Sequence, residues 1–165
     1  CLAGVFTLED ALELVAERGR LMQELPGGAM LSVPLTEEAL RPYLTPDLAL
    51  AAINAPALCA VSGDFDAIAA LEARLAADGV DYRRLHTSHA FHSPMMDPIV
   101  APFTRRVADV PLAAPQIPFI SNVSGTWITA DEATDPAYWA AHLRQGVRFA
   151  DGVATLMEED PNQVL

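Results

Sequence analysis

The alternation of short apolar runs with periodic apolar stripes across residues 29–85 constrains this chain most. Residues 29–35 read as a short strand. Residues 36–44 read as a helix capped by Thr36, with Glu37 and Glu38 in its first turn. Residues 48–54 and 58–62 are apolar runs joined through Ala55-Pro56, a hairpin pattern. Asp64 then caps a helix whose Ile68, Leu71 and Leu75 form one stripe, ended by Gly79, and residues 80–85 read as a last strand. The order strand, helix, strand, strand, helix, strand predicts the split βαβ of a ferredoxin-like fold. That architecture hosts many functions, so function has to be sought in particular side chains.

The flanks are more helical. Thr7 and Asp10 form a capping-box pattern at the start of a helix over residues 8–24, closed by Pro26-Gly27-Gly28. Helical spacing places Leu8, Ala11, Leu12, Val15, Gly19 and Met22 on one face, which predicts that this face is buried. Arg18 falls inside the same apolar arc. A guanidinium there needs an anion, because an uncompensated buried charge costs several kcal/mol. An internal salt bridge, a snorkelling side chain and a clamp for a ligand carboxylate all satisfy that need. Beyond residue 94 the sequence predicts a helix over 95–110 with Pro98 and Pro102 as kinks, and strands at 119–123 and 126–129 about the Ser124-Gly125 turn. Two helices close the chain. One runs from Asp135-Pro136 through His142 with Tyr138, Trp139 and Leu143 at core spacing, and the other covers 149–159 and leads to Val164.

Composition narrows the partners. The chain has 165 residues, 52% of them apolar, enough for one substantial core or two subdomains. Its formal charge is −12 and all ten basic residues are arginine, which disfavours nucleic acid as a ligand. No apolar run reaches membrane-spanning length and no signal-peptide pattern opens the chain, so a membrane partner is not expected and a cytoplasmic setting is. Cys1 and Cys59 make no disulfide framework. Cys1 to Val5 opens without a polar lead-in, and Asn162 to Leu165 stops as an apolar strand would begin. Both features predict an internal piece of a longer protein.

The chemistry concentrates in Thr87-Ser88-His89-Ala90-Phe91-His92-Ser93-Pro94, between a strand and a helix. Pro94 suits a first helical turn with Ser93 as its N-cap, and an imidazole just ahead of it is placed to act as a general base. An ordinary loop histidine is the plain alternative. His86, His89 and His92 also invite a metal, but residues three apart on an extended segment face opposite sides and no other ligand lies between them, so no metal is predicted. No Gly-x-Ser-x-Gly elbow is present. Val61-Ser62-Gly63 and Val123-Ser124-Gly125 lack the first glycine. The chain therefore carries a base without its nucleophile.

Five stretches in order resemble one family: Leu2-Ala3-Gly4-Val5-Phe6, Arg18-Gly19-Arg20-Leu21-Met22-Gln23, Asn54-Ala55-Pro56, His89-Ala90-Phe91-His92-Ser93-Pro94 and Val147-Arg148-Phe149. The chain resembles the middle and later part of the acyltransferase domain of modular polyketide synthases, related to malonyl-CoA:acyl carrier protein transacylases. The resemblance implies an α/β fold, part of an α/β-hydrolase-like core (residues 1–27 and 89–165) with a ferredoxin-like (βαββαβ) subdomain at 28–88. It implies His92 as the base for a serine upstream of Cys1, and Arg18 as the grip on the free carboxylate of the extender unit. His89 and Phe91 become selectivity residues, the phenylalanine going with malonyl because its ring fills the room a methyl branch needs. Asn54 lines the substrate or pantetheine path or merely stabilises its turn, and the backbone carbonyl of His142 orients the catalytic imidazole. Gly146 departs from the family, where proline often precedes Val-Arg-Phe, and this predicts a looser turn near His142. The implied substrate is malonyl-CoA and no cofactor is bound. The implied partners are an acyl carrier protein, whose phosphopantetheine thiol receives the acyl group, and neighbouring synthase domains. A serine hydrolase sharing the base, and a non-catalytic ferredoxin-like scaffold or docking module, are the alternatives.

Overall fold

A computed structural model of the chain describes residues 1–159. The run 162–165, with Val164 and the strand expected to begin there, lies outside the described residues. Helix α1 (Leu8–Gln23) opens the regular structure, with the Thr7 hydroxyl accepting from the Asp10 amide. Strand β1 (Ala29–Val33) follows, then α2 (Glu37–Leu40), which a 3₁₀ turn at Arg41–Tyr43 extends. Strands β2 (Leu48–Ala55) and β3 (Leu58–Gly63) form the hairpin, and α3 (Phe65–Ala77) is capped by Asp64. Gly79 sits just past α3 with φ +68°, the left-handed conformation that ends helices cheaply only at glycine. Strand β4 (Arg83–Arg84) completes a four-stranded antiparallel sheet in the order β2-β3-β1-β4.

The sheet has two different faces because successive side chains alternate. Leu31, Val33, Val61 and Cys59 point to the face covered by α3 and the α2 region, where Ile68, Leu71, Leu75 and Leu40 close a core. Met30, Ala51 and Ala60 point the other way, towards Leu85 and Phe91. A third cluster is helical and joins α1 to α4 (Asp97–Ala108) and α6 (Pro136–Arg144) through Leu14, Leu21, Phe103, Val107 and Leu143. Phe91 packs against both the second sheet face and this helical cluster. The loop carrying it is therefore held between the two layers.

Three sequence expectations change and one short helix is added. Of the α1 face expected to be buried, Met22 is buried, but Leu8, Leu12 and Val15 are 66%, 61% and 69% exposed, and the other buried residues are Leu14 and Leu21. Both sides of α1 carry apolar residues, and only the side that α4 meets is covered. The last strand is two residues long rather than the span 80–85: Arg83 and Arg84 pair with Ser32 and Leu31 of β1, and beyond them the Leu85 amide adds a single bond to the Met30 carbonyl (2.9 Å). The pair expected at 119–123 and 126–129 makes a single bridge, Ile120 to Trp127, about a turn in which Gly125 has φ +73°. Thr129 and Glu132 form an unanticipated capping box for the short α5 (Ala130–Thr134).

One contact joins the sheet to the last third of the chain. Val147 lies parallel to the outer edge of β2, its amide donating to the Ala51 carbonyl (2.9 Å) and its carbonyl accepting from the Ile53 amide (2.8 Å). Helix α7 (Phe149–Glu159) leaves directly from that bridge and packs beside β2. The bridge requires a close approach at Gly146, where a Cβ would lie 2.3 Å from the Leu50 carbonyl oxygen. The glycine thus tightens this segment rather than loosening it. Gly146→Ala should lower the unfolding free energy by about 1–3 kcal/mol, read from urea midpoints at an unchanged m-value. A wild-type midpoint would contradict the close packing.

Candidate active site

His92 occupies a conformation that its sequence neighbours enforce. The Ser93 hydroxyl donates to the Ala90 carbonyl (2.6 Å) and accepts from the Met95 amide (3.2 Å), and both Ser93 and Ala90 are fully buried. The turn closed by these bonds leaves His92 at φ +57°, the one non-glycine residue with positive φ among the described residues. Such a conformation costs on the order of 1–3 kcal/mol and persists only where the surroundings over-determine it.

The ring is oriented from the other end of the chain. His92 Nδ1 lies 2.7 Å from the backbone oxygen of Gln145. A carbonyl can only accept, so Nδ1 carries the proton and Nε2 is left with a free lone pair. A general base needs that tautomer. The orienting carbonyl belongs to Gln145 and not to His142, which corrects the sequence expectation. His142 lies within the last turn of α6, whereas Gln145 is its C-cap, with an extended backbone (φ −81°, ψ 156°) that turns the carbonyl away from the helix. Burial pushes the His92 imidazole below its ordinary value, the Gln145 bond opposes that shift, and the Arg18 cation adds to it.

Arg18 is the second element. It projects from the buried side of α1, between Leu14 and Leu21, and burial lowers its affinity for a proton. Acidic residues are plentiful on this helix, yet none of the described ones pairs with it. Glu17 and Glu24 bind Arg20, and Glu13 binds Arg106. Among the described residues Arg18 has neither an ion pair nor a hydrogen bond. The internal salt bridge weighed from sequence is therefore absent from the described residues.

His142 shares a cavity of about 160 Å³ with Arg18, walled mainly by Phe6, Leu14, Phe103 and Trp139. Its ring stands against Trp139, with centroids 6.4 Å apart. Burial, followed by the fields of Arg18 and His92, pushes its pKa down to about 4. Arg18, His92 and His142 are thus brought within electrostatic reach of one another.

The remaining predicted residues lie further out. His89 is buried, with Nδ1 2.8 Å from the Ser88 hydroxyl, and its ring centroid is 6.1 Å from that of Phe91. Asn54 is exposed near the end of β2, outside the cavity that Arg18 and His142 line. Sequence reasoning missed the Gln145 carbonyl. A backbone acceptor has no residue-type signature, and the one available cue was an α6 C-terminus that had to lie close to the motif.

Comparison with known proteins gives consistent matches. The acyl transferase domain family model matches residues 1–165. Mycoketide-CoA synthase of Mycobacterium tuberculosis is 48% identical over 153 residues, covering 92% of this chain and 4% of that protein. Polyketide synthase type I Pks15/1 of Mycobacterium marinum, in phenolphthiocerol synthesis, is 46% identical, over 94% of this chain and 8% of its own length. Among solved structures, the acyl transferase domain of SpnD in complex with 2-(pent-4-yn-1-yl)malonyl superposes with a TM-score of 0.93 at 44% identity, covering 98% of this chain and 39% of that one. The malonyl CoA-acyl carrier protein transacylase of Burkholderia pseudomallei gives 0.85 at 33% identity, covering 99% and 58%. This chain therefore spans a small part of the curated relatives and well under two thirds of these solved domains. The mixed α/β fold, with its four-stranded antiparallel sheet, is the fold of these structures. No described helix is long and apolar enough to cross a membrane.

The depressed imidazoles make stability depend on acid. Unfolded, His142 titrates near 6.5, and folded, near about 4. Between those values the unfolded state binds a proton that the folded state refuses. Stability is therefore unaffected above that range and falls as pH drops through it, with His92 contributing in the same direction. His142→Asn should reduce the loss measured by urea unfolding between about pH 7.5 and about pH 5. Equal losses in variant and wild type would contradict the burial of this ring.

Proposed function

We propose that this chain, which belongs to the acyl transferase domain family, carries the base and the carboxylate grip of an enzyme that moves a malonyl unit from CoA to an acyl carrier protein. The nucleophilic serine is supplied by the longer domain of which the chain is part. His92 Nε2 takes the proton from the serine hydroxyl as its oxygen bonds to the thioester carbon. The carbon–sulfur bond then breaks and CoA leaves with the proton. The phosphopantetheine thiol of the carrier protein repeats the sequence in reverse: His92 takes its proton as its sulfur bonds to the acyl carbon, the carbon–oxygen bond to serine breaks, and the serine oxygen leaves with that proton. No cofactor enters either step.

The single observation carrying this proposal is a half-buried guanidinium without a partner among the described residues, acting on an imidazole whose Nδ1 is held by the Gln145 carbonyl so that Nε2 keeps its lone pair. An arginine kept without an anion on a packed helix face is explained when the anion arrives with the substrate, and a malonyl carboxylate fits its planar fork. The malonyl group named in the SpnD complex supports the same class of substrate. Phe91, wedged between the sheet and the helical cluster, is the residue whose bulk discriminates against a branched malonyl group, with His89 packed beside it. Asn54 stays a candidate for the pantetheine approach.

On this proposal residues 28–88 form a ferredoxin-like subdomain and residues 1–27 with 89–165 belong to a hydrolase-like subdomain, in a cytoplasmic multidomain synthase. The exposed stripe of Leu8, Leu12 and Val15 is a face that the rest of that domain covers.

In the intact domain His92→Ala should slow malonyl loading by roughly 10²–10⁴-fold, and a wild-type rate would refute the base. Arg18→Ala should slow malonyl loading by roughly 10–100-fold while sparing acetyl loading. Equal losses for both acyl groups would refute the grip. Release of free malonate in place of carrier loading would favour a hydrolase, and indifference to both substitutions would favour a scaffold. Phe91→Ser should raise methylmalonyl relative to malonyl loading by at least about 10-fold, and an unchanged ratio would overturn the packing role.

A further inference from the structure

The ring of His142 has no task in the scheme above, since the carbonyl that orients His92 is that of Gln145. Its position is nonetheless specific. It stands in the last turn of α6 with its ring against Trp139, and it lines the same cavity as Arg18. Among the described residues it makes no hydrogen bond, so its N–H has no protein acceptor. The walls around it are largely apolar, and Arg18 is the other ionisable group lining the cavity.

We propose that the imidazole of His142 is a second donor to the free carboxylate of the acyl group, completing with the Arg18 fork a cradle of three hydrogen bonds. The inference rests on the reading of Arg18 as the carboxylate grip. A carboxylate offers about four lone-pair sites, and a bidentate arginine uses two of them. The walls of the cavity are largely apolar, so a third site turned towards them is left without a donor and is penalised. A neutral imidazole meets that need better than another cation would. It adds an N–H without placing a further like charge beside Arg18 and His92, and burial holds the ring in its neutral form. His142 would therefore be a specificity residue, sensing the carboxylate and blind to an acyl group that lacks one.

The test is a panel in the intact domain: His142→Leu, His142→Asn and Arg18→Ala, each assayed with malonyl-CoA and acetyl-CoA. His142→Leu should raise the KM for malonyl-CoA and lower the malonyl-to-acetyl preference, each by about 10-fold, with acetyl loading held near wild type. His142→Asn keeps an N–H donor and should restore most of the preference. A malonyl-to-acetyl ratio in the leucine variant equal to wild type overturns the proposal, as does an asparagine variant that fails as badly as leucine. Should the leucine variant not fold, His142→Met takes its place with the same expected ratio. If Arg18→Ala abolishes the preference while His142→Leu leaves it intact, the second donor alone is wrong. An unaltered preference in Arg18→Ala removes the carboxylate grip itself.

Discussion

The parallel bridge of Val147 against β2 is the contact on which the site depends. It fixes the segment after α6 against the sheet edge, and Gly146 allows this because nothing larger fits beside the Leu50 carbonyl. Held there, the preceding residue turns its carbonyl to His92 Nδ1, across 53 positions of sequence. A sheet-edge pairing thereby sets the tautomer of an imidazole far away in the chain. The Ser93–Ala90 turn supplies the other half by holding the same residue in a left-handed backbone conformation. Neither constraint would orient the ring alone: one fixes where the side chain begins and the other where its ring points.

Electrostatics explains why the arrangement sits at a site and not in a core. The protein carries a formal charge of −12, yet three basic side chains gather within reach of each other and, among the described residues, none of them is paired with an acid. Glu17 and Glu24 are committed to Arg20 and Glu13 to Arg106, and among the described residues Arg18 lines the cavity without an ion pair. Burial lowers the proton affinity of all three groups. A fold selected for stability alone would replace such a guanidinium with an apolar side chain. Its retention makes physical sense when an anionic ligand supplies the missing charge.

The sheet was legible in the sequence because its strands are short apolar runs separated by strong punctuation. Asp64 and Gly79 bracket α3 in the structure as the residue types predict. The buried side of α1 was not legible. Met22 is buried as its spacing predicts, whereas Leu8, Leu12 and Val15 on the same arc are exposed and Leu14 and Leu21, outside it, are buried in the cluster shared with α4. Strand β4 came out short because the residue types at 80–85 say nothing of how many of them find a partner on β1. At the site, His92 and Arg18 were visible as residue types in awkward places, a base beside a cap and a cation in an apolar arc. The Gln145 carbonyl was invisible, since any residue has one and only the tertiary path brings this one to the ring.

The central claim is that Arg18 and the two imidazoles share one electrostatic environment that waits for an anion. Proton NMR titration of the His92 and His142 ring resonances, in the wild type and in Arg18→Met, tests it most directly. The claim predicts that both rings take up their protons at higher pH once the cation is removed, because Arg18 acts on each of them. Titration curves that do not move would place Arg18 out of reach of both histidines and contradict it.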